Sequence, residues 1–351
     1  MRKSLVRSWH DFSRRGFLKT SVAALAGLAG WKTLAKATQQ TQAQPHGMPM
    51  PGNHFHGRLP SVDPESFPKL DPRKFLSDFQ TGTVSRLSSG QVVREFELIA
   101  VDREIEVAPG VFFPAWTYNG TVPGPTLRCT EGELVRVHFR NEGSMPHTIH
   151  FHGIHPAKMD GVFELVDPGN EFVYEFVAKP FGLFLYHCHT VPIKKHIHKG
   201  LYGTFIVDPK SPRQSAREFV MVLNGFDTDY DGENEFYTVN GVANYYATHP
   251  IEIQSGELIR VYLVNVTEFD QINSFHLHGN VYRLYRTGTN LGQYEITDTV
   301  MLCQGERCVL EFTYDEPGMF MFHAHQSEFA ELGWMAFFKV LPKPLAERIP
   351  L

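Results

Sequence analysis

The sequence predicts an all-β protein of two tandem β-sandwich or Greek-key barrel domains, and three observations carry that prediction. Short segments alternate apolar and other residues with period two, as in Leu134-Val135-Arg136-Val137-His138-Phe139, the pattern of a half-buried strand. Turns holding Gly or Pro separate these segments, and neither half carries a long helical pattern. The pattern is also written twice. Gly132-Glu133-Leu134-Val135-Arg136-Val137-His138-Phe139 is matched by Gly256-Glu257-Leu258-Ile259-Arg260-Val261-Tyr262-Leu263, which predicts a second half-buried strand. His150-Phe151-His152-Gly153 is matched by His276-Leu277-His278-Gly279, and Gly182-Leu183-Phe184-Leu185-Tyr186-His187 by Gly318-Met319-Phe320-Met321-Phe322-His323. Gly200-Leu201-Tyr202-Gly203 is matched by Gly333-Trp334-Met335-Ala336.

Taken in order, residues 1–37 look like a twin-arginine export signal. Ser13-Arg14-Arg15-Gly16-Phe17-Leu18-Lys19 precedes an apolar run from Val22 to Trp31, and Ala35-Lys36-Ala37 offers small residues for cleavage. The run is flanked by Lys19 and Lys32 and is shorter than the roughly 20 apolar residues a spanning helix needs. The expected location is periplasmic or secreted, with no membrane association once the signal is removed. Residues 38–90 read as an N-terminal arm or linker. They include His46-Gly47-Met48-Pro49-Met50-Pro51-Gly52-Asn53-His54-Phe55-His56, either a flexible linker or a stretch that captures copper. The first domain is expected over 91–210 and the second over 211–345, joined near Pro209 to Arg217.

Net charge is −5 and no basic stripe is present, which excludes nucleic acid as an expected partner. Four cysteines are too few for a disulfide scaffold. Cys303 and Cys308 flank Gln304-Gly305-Glu306-Arg307, read as a hairpin turn; either a cross-strand disulfide or two buried thiols fits there. Cys129, in a strand-like segment, reads as a buried thiol.

Four His-X-His triplets carry the chemistry: His150-Phe151-His152, His187-Cys188-His189, His276-Leu277-His278 and His323-Ala324-His325. Residues two apart in a strand point the same way, so each triplet can present both imidazoles to one site. Imidazole is the commonest neutral metal ligand and thiolate is a soft one. The halves differ at three positions. Ala324 stands where Cys188 stands, Asn273 where His147 stands, and Phe329 near the position of His196. The second half has thus lost one set of candidate ligands and kept the other. His138 lies on the polar face of its strand with Arg136 and Arg140 and reads as an ordinary surface residue.

These motifs, in this order within a duplicated frame, resemble a two-domain multicopper oxidase of the laccase type, built from cupredoxin domains, over about residues 92–342. The resemblance implies four coppers per functional unit. His147, Cys188 and His196 match the type 1 ligands, with His198 as the alternative second imidazole, and the axial position falls on Leu201, which cannot coordinate. His150 and His276 would hold type 2 copper. His152, His187, His189, His278, His323 and His325 would hold the type 3 pair. Cys188 is then the electron route between its histidine neighbours. Asp160, in Met159-Asp160-Gly161, matches the aspartate that assists proton delivery; the competing reading is a turn aspartate before glycine. Glu328 is a weaker relay candidate. The implied partners are dioxygen and a small reducing substrate (a phenol, an aromatic amine or a low-valent metal ion), and the implied assembly is a homotrimer with clusters between subunits. Two other readings compete. Copper nitrite reductases resemble the chain around Pro146-His147 and His187-Cys188, but carry an aspartate where His150 stands and no histidine at the His189 position. A non-catalytic periplasmic copper-binding protein is the third reading.

Overall fold

A computed structural model of the protein describes residues 62–343. The expected export signal, the stretch from His46 to His56 and the residues from 344 onward lie outside the described part. The described chain is mostly strand, with helices of three to six residues. No helix among the described residues is long and apolar enough to cross a membrane.

Among the described residues four sheets are formed, two from each half. In the first half, one sheet runs in the order Phe79–Gln80, Thr126–Thr130, Tyr202–Asp208, Gly182–His187, His150–Phe151. The other runs Thr83–Arg86, Val92–Ala108, Leu134–Asn141, Glu171–Val177, with Val111–Tyr118 paired on Val92–Ala108. The second half repeats both. Ile251–Gln254, Met335–Leu341, Gly318–His323 and Ile272–Leu277 follow the order of the first sheet, ending on Thr299–Cys303. Phe236–Val239, Arg217–Phe226, Ile259–Asn265 and Arg307–Phe312 follow the second, ending on Tyr282–Arg286 and Glu295–Thr297. The repetition extends to register. His187 stands opposite His150 and Tyr202, and His323 stands opposite His276 and Met335.

Strand periodicity builds three hydrophobic layers. Phe184 and Tyr186 enter the interior of the first half, while Leu183 and Leu185 point to the layer between the halves. Met221, Val261 and Leu263 enter the interior of the second half, while Val220, Val222, Tyr262 and Val264 meet Leu183 and Leu185. Ile259–Asn265 is therefore buried along its whole length. The period-two reading predicted one buried face there; the other face is covered by the first half, which local sequence cannot report. Each fully buried aliphatic or aromatic side chain contributes about 1.5–3 kcal/mol. This layer outweighs the ion network at its rim, where Arg128 binds Asp208 and Glu218, and Arg260 binds Glu218 and Glu311, because desolvation offsets most of a buried pair's attraction.

One local expectation is corrected. The turn between Cys303 and Cys308 is not a hairpin: it carries the chain from one sheet to the other, with Cys303 opposite Ile272 and Cys308 opposite Leu263. Cys303 is exposed, Cys308 is buried, and all four cysteines are free thiols. The arm is built into the fold over its described part. Phe79–Gln80 adds a parallel edge to Thr126–Thr130. Phe75 enters the layer between the halves, Leu76 enters the second core, and the Tyr246 hydroxyl donates to the Pro72 carbonyl.

Candidate metal centres

Cys188 follows the last residue of Gly182–His187 and is fully buried. Its amide donates to the Leu201 carbonyl, which holds the turn before Tyr202–Asp208 against it. His147 is fixed by a reciprocal backbone bridge to Val166. His196 sits on the short helix Ile193–His198, whose Pro192 start and Gly200 exit confine it to the few residues that reach Cys188. Here three donor atoms converge. His147 Nδ1 lies 3.1 Å from His196 Nδ1, and Cys188 Sγ lies 3.3 Å from His196 Nδ1 and 3.9 Å from His147 Nδ1. His198 goes elsewhere: its Nε2 accepts from the Asp227 amide, and its ring packs on Phe113 and Phe269. Leu201 is fully buried in the same cluster as Cys188.

The electrostatics of this pocket suit a cation. Burial pushes the His147 imidazole down to about 3, with His196 adding to the fall. Burial and Lys195 hold His196 at about 4. Burial pushes the Cys188 thiol up, against hydrogen bonds from Thr190 and Thr148. Two neutral imidazoles bring their Nδ1 atoms within 3.1 Å of each other, and a thiol this buried ionises only beside a positive charge. A soft metal ion satisfies all three donors at once, and the residues present fit copper.

The other eight imidazoles form two quartets. In the first half, His152 Nε2 lies 3.2 Å from His187 Nε2, and the His150 ring lies 5.2 to 5.4 Å from those of His152, His187 and His189. In the second, His278 Nε2 lies 2.9 Å from His323 Nε2, and the His276 ring lies 4.9 to 5.4 Å from those of His278, His323 and His325. The supporting contacts are duplicated as well. His187 Nδ1 is bonded to the Cys188 carbonyl and His323 Nδ1 to the Ala324 carbonyl. The His189 amide donates to Thr148 Oγ1 and the His325 amide to Ser274 Oγ. Burial lowers His152 to about 3 and His187 to about 4, so both stay neutral and available to a metal. His278 and His325 of the second quartet are exposed. Among the described residues, no ring or hydrogen-bond contact joins the two quartets.

Asp160 lies at the first quartet. Its carbonyl is 2.7 Å and its Oδ1 3.2 Å from His150 Nδ1. Glu328 sits on the short helix Ser327–Glu331, just after His325. His138 lies at the surface, 3.7 Å from Glu95. Three further residues escaped the sequence reading. His155 stands 3.6 Å from Asp160 Oδ1 and closes a group with His150. Asp298 is the counterpart of Asp160 in the second half, its carbonyl 3.0 Å from His276 Nδ1. Trp116 covers the thiol pocket, its ring 5.2 Å from His147 and 4.8 Å from His196. His155 follows the first triplet by three residues and was within reach of a motif reading. Asp298, between the strands Glu295–Thr297 and Thr299–Cys303, and Trp116, on Val111–Tyr118, lie far from the triplets in the chain and carried no local signal.

Comparison with known proteins agrees with this geometry. Two multicopper oxidase family models match the chain, one over residues 102–212 and one over residues 218–344. A crystal structure described as a multicopper oxidase is 51% identical and superposes with a TM-score of 0.77, covering 80% of this chain and 100% of that one. The blue copper oxidase from Nitrosomonas europaea is 30% identical with a TM-score of 0.64, covering 71% of this chain and 86% of its own. The copper-containing nitrite reductase of Neisseria gonorrhoeae is 28% identical over 246 residues, 64% of this chain and 62% of that protein's length. A duplicated all-β frame, a buried His-Cys-His pocket in its first half and a histidine quartet in each half thus accompany matches along both halves, and the chain belongs to the multicopper oxidase family.

Proposed function

We propose that this protein is an exported laccase-like oxidase that takes single electrons from a phenolic, aromatic or metal-ion donor and reduces dioxygen to water. The observation that carries the reading is the pair of histidine quartets at equivalent register positions, with Cys188 between two histidines of the first. His147, Cys188 and His196 would hold a mononuclear type 1 copper. His150 and His276 would hold the type 2 ion, and His152, His187, His189, His278, His323 and His325 the type 3 pair, four coppers per functional unit. When bound, copper supplies one-electron acceptance at the thiolate and the four-electron chemistry that dioxygen needs.

The chain's own residues supply the rest. Cys188 connects the two sites along the backbone to His187 and His189, and its carbonyl, bonded to His187 Nδ1 at 3.0 Å, adds a second short route. Leu201 closes the type 1 pocket with a side chain that cannot coordinate. Asp160, within 3.2 Å of His150 Nδ1, holds that ring's orientation and offers a carboxylate for proton delivery. The exposure of His278 and His325 supports completion of each cluster by another copy of the chain, as a homotrimer with the first half of one subunit against the second half of its neighbour. Residues 1–37 would direct export by the twin-arginine route.

Nitrite reduction is the second reading, favoured by the similarity to the Neisseria enzyme. His150 and His189 weigh against it, since both join one quartet with rings 5.4 Å apart. Oxygen uptake during oxidation of a simple methoxyphenol separates the two. Four substrate radicals per dioxygen without peroxide is the expected result. Nitrite consumption without oxygen uptake would select the reductase. Sedimentation of the copper-loaded protein tests the assembly, and a fully active monomer would overturn the trimer.

A further inference from the structure

Beside the Cys188 pocket lies an open cavity of about 740 Å³, a volume that suits a small aromatic molecule. Trp116 lines it on the side of the metal pocket. The indole is 8% exposed and stands against His196, which is 1% exposed. A molecule in the cavity therefore meets the indole before the imidazole.

The remaining walls place ammonium groups on aromatic faces. Lys195 Nζ lies 5.2 Å from the centre of the Trp116 ring, Lys194 Nζ 4.0 Å from Phe269 and Lys199 Nζ 5.3 Å from Tyr230. Lys199 also donates to the Tyr230 hydroxyl at 3.3 Å. Among the described residues, none of these lysines forms an ion pair within 4.0 Å. Asp102 and Glu268 act on Lys199 and Lys194 only from farther away. On the facing loop, Asp227 and Asp231 also line the cavity: Asp227 accepts from the Asp231 and Gly232 amides, Asp231 accepts from the Glu233 amide, and their carboxylates gather with those of Asp229 and Glu235 within 4.8 Å of one another. Burial, with the neighbouring Lys195 adding to it, lowers Lys199 from its ordinary value.

We propose that this cavity binds an aromatic electron donor carrying an anionic group, such as a carboxylated or sulfonated ring, and that its electron enters through Trp116. The proposal rests on the reading of Cys188 as part of an electron-accepting centre. The lysines hold the anionic group, and the aromatic faces hold the ring. The donor would lose one electron across Trp116 to an oxidised copper ion held by His147, Cys188 and His196, with dioxygen as the final oxidant. A phenolic donor also gives its proton to the water of the open cavity and leaves as a neutral-oxygen radical.

Calorimetric titration of the copper-loaded protein with 4-methoxybenzoate, an anionic ring that is hard to oxidise, reads the cavity whether or not the protein turns over. Saturable binding is expected, weakened about five- to tenfold in the Lys194→Gln/Lys195→Gln double variant and by added salt. In steady-state assays, the ratio of KM for a hydroxycinnamate to KM for an uncharged methoxyphenol should rise by the same factor. Trp116→Leu protein that keeps its blue absorption should show a lower kcat with both donors. Absent binding, or equal binding by the double variant, overturns the anion site; an undiminished kcat in Trp116→Leu overturns the electron route. Benzoate binding that depends on the lysines, without oxygen uptake from either donor, would support the ligand class while overturning the oxidase reading.

Discussion

The same place in the two halves holds opposite contents. In the first half, His147, Cys188 and His196 turn three donor atoms toward one another in a buried pocket. In the second, Ala324 leaves room, and the fully buried Trp334 occupies the position of Leu201. The Trp334 indole N–H donates to Asn273 Oδ1 at 3.1 Å, Asn273 Nδ2 donates to Thr267 Oγ1, and Phe329 stacks on Tyr237 at 3.8 Å. The frame is unchanged: the Ala324 amide donates to the Trp334 carbonyl as the Cys188 amide does to that of Leu201. A pocket that holds no metal is filled and its polar groups are paired, because an empty or unsatisfied core is costly. The first-half pocket instead keeps two imidazoles and a thiol facing one another, with His147 Nε2 left without a partner, a donor set that suits a soft ion. The quartets beside both pockets are kept, so the difference concerns one site only.

The largest effect should come from exchanging the two contents. Cys188→Ser should abolish blue absorption and reduce oxygen uptake to background. Ala324→Cys should create no second blue site, since Asn273 and Trp334 stand where imidazole and open space would be needed. A new blue band in Ala324→Cys would falsify the packing account.

The two quartet aspartates sharpen the comparison next. Asp160 Oδ1 lies 3.2 Å from His150 Nδ1, whereas Asp298 Oδ1 lies 4.0 Å from His276 Nδ1. Asp160→Asn should retain the blue band and slow oxygen uptake about ten- to hundredfold. Asp298→Asn should slow it less. Full activity in Asp160→Asn would remove the aspartate from the proton route, and a larger loss in Asp298→Asn would reverse the assignment between the halves.

Acid should act more strongly on the first half. In the metal-free protein, burial depresses His147 and His152 to about 3 and His187 and His196 to about 4, against about 6.5 in an unfolded chain. Below pH 6.5 the unfolded chain takes up protons that these folded imidazoles refuse. Stability is therefore full above pH 6.5 and falls as the pH drops toward 4 and then 3. Urea unfolding of the metal-free protein between pH 7 and pH 4 should show a falling midpoint, and a flat midpoint would count against neutral buried imidazoles.

The smallest change should follow Leu201→Met. A thioether beside the Cys188 pocket stabilises the oxidised ion, so the reduction potential should fall while the fold and blue colour persist. Redox titration checks this, and an unchanged potential would move the axial position away from residue 201.

Much of the candidate site was legible because its histidines come in local pairs. His-X-His is itself a statement about a strand, and the four triplets needed no tertiary information to be grouped in twos. The alternation at Leu134–Asn141 was legible for the same reason. The choice between His196 and His198 was not. Both lie on one helical turn, and only the packing of His198 against Phe113, Phe269 and the Asp227 amide turns it away from Cys188. The fate of Cys303 and Cys308 was hidden as well, because a turn within a hairpin and a turn between two sheets share the same residues.

Sequence alone determined the duplicated all-β frame, the four His-X-His pairs and the loss of Cys, His and His equivalents from the second half, since period two and residue chemistry are local properties. Tertiary structure decided which donors meet. It brought His147 to His196, set Trp116 over them, placed Asp298 opposite Asp160 in the duplicated plan, and buried Ile259–Asn265 on both faces. Those outcomes depend on contacts between strands far apart in the chain, where burial and packing, rather than the identity of neighbouring residues, fix which side chain points at which.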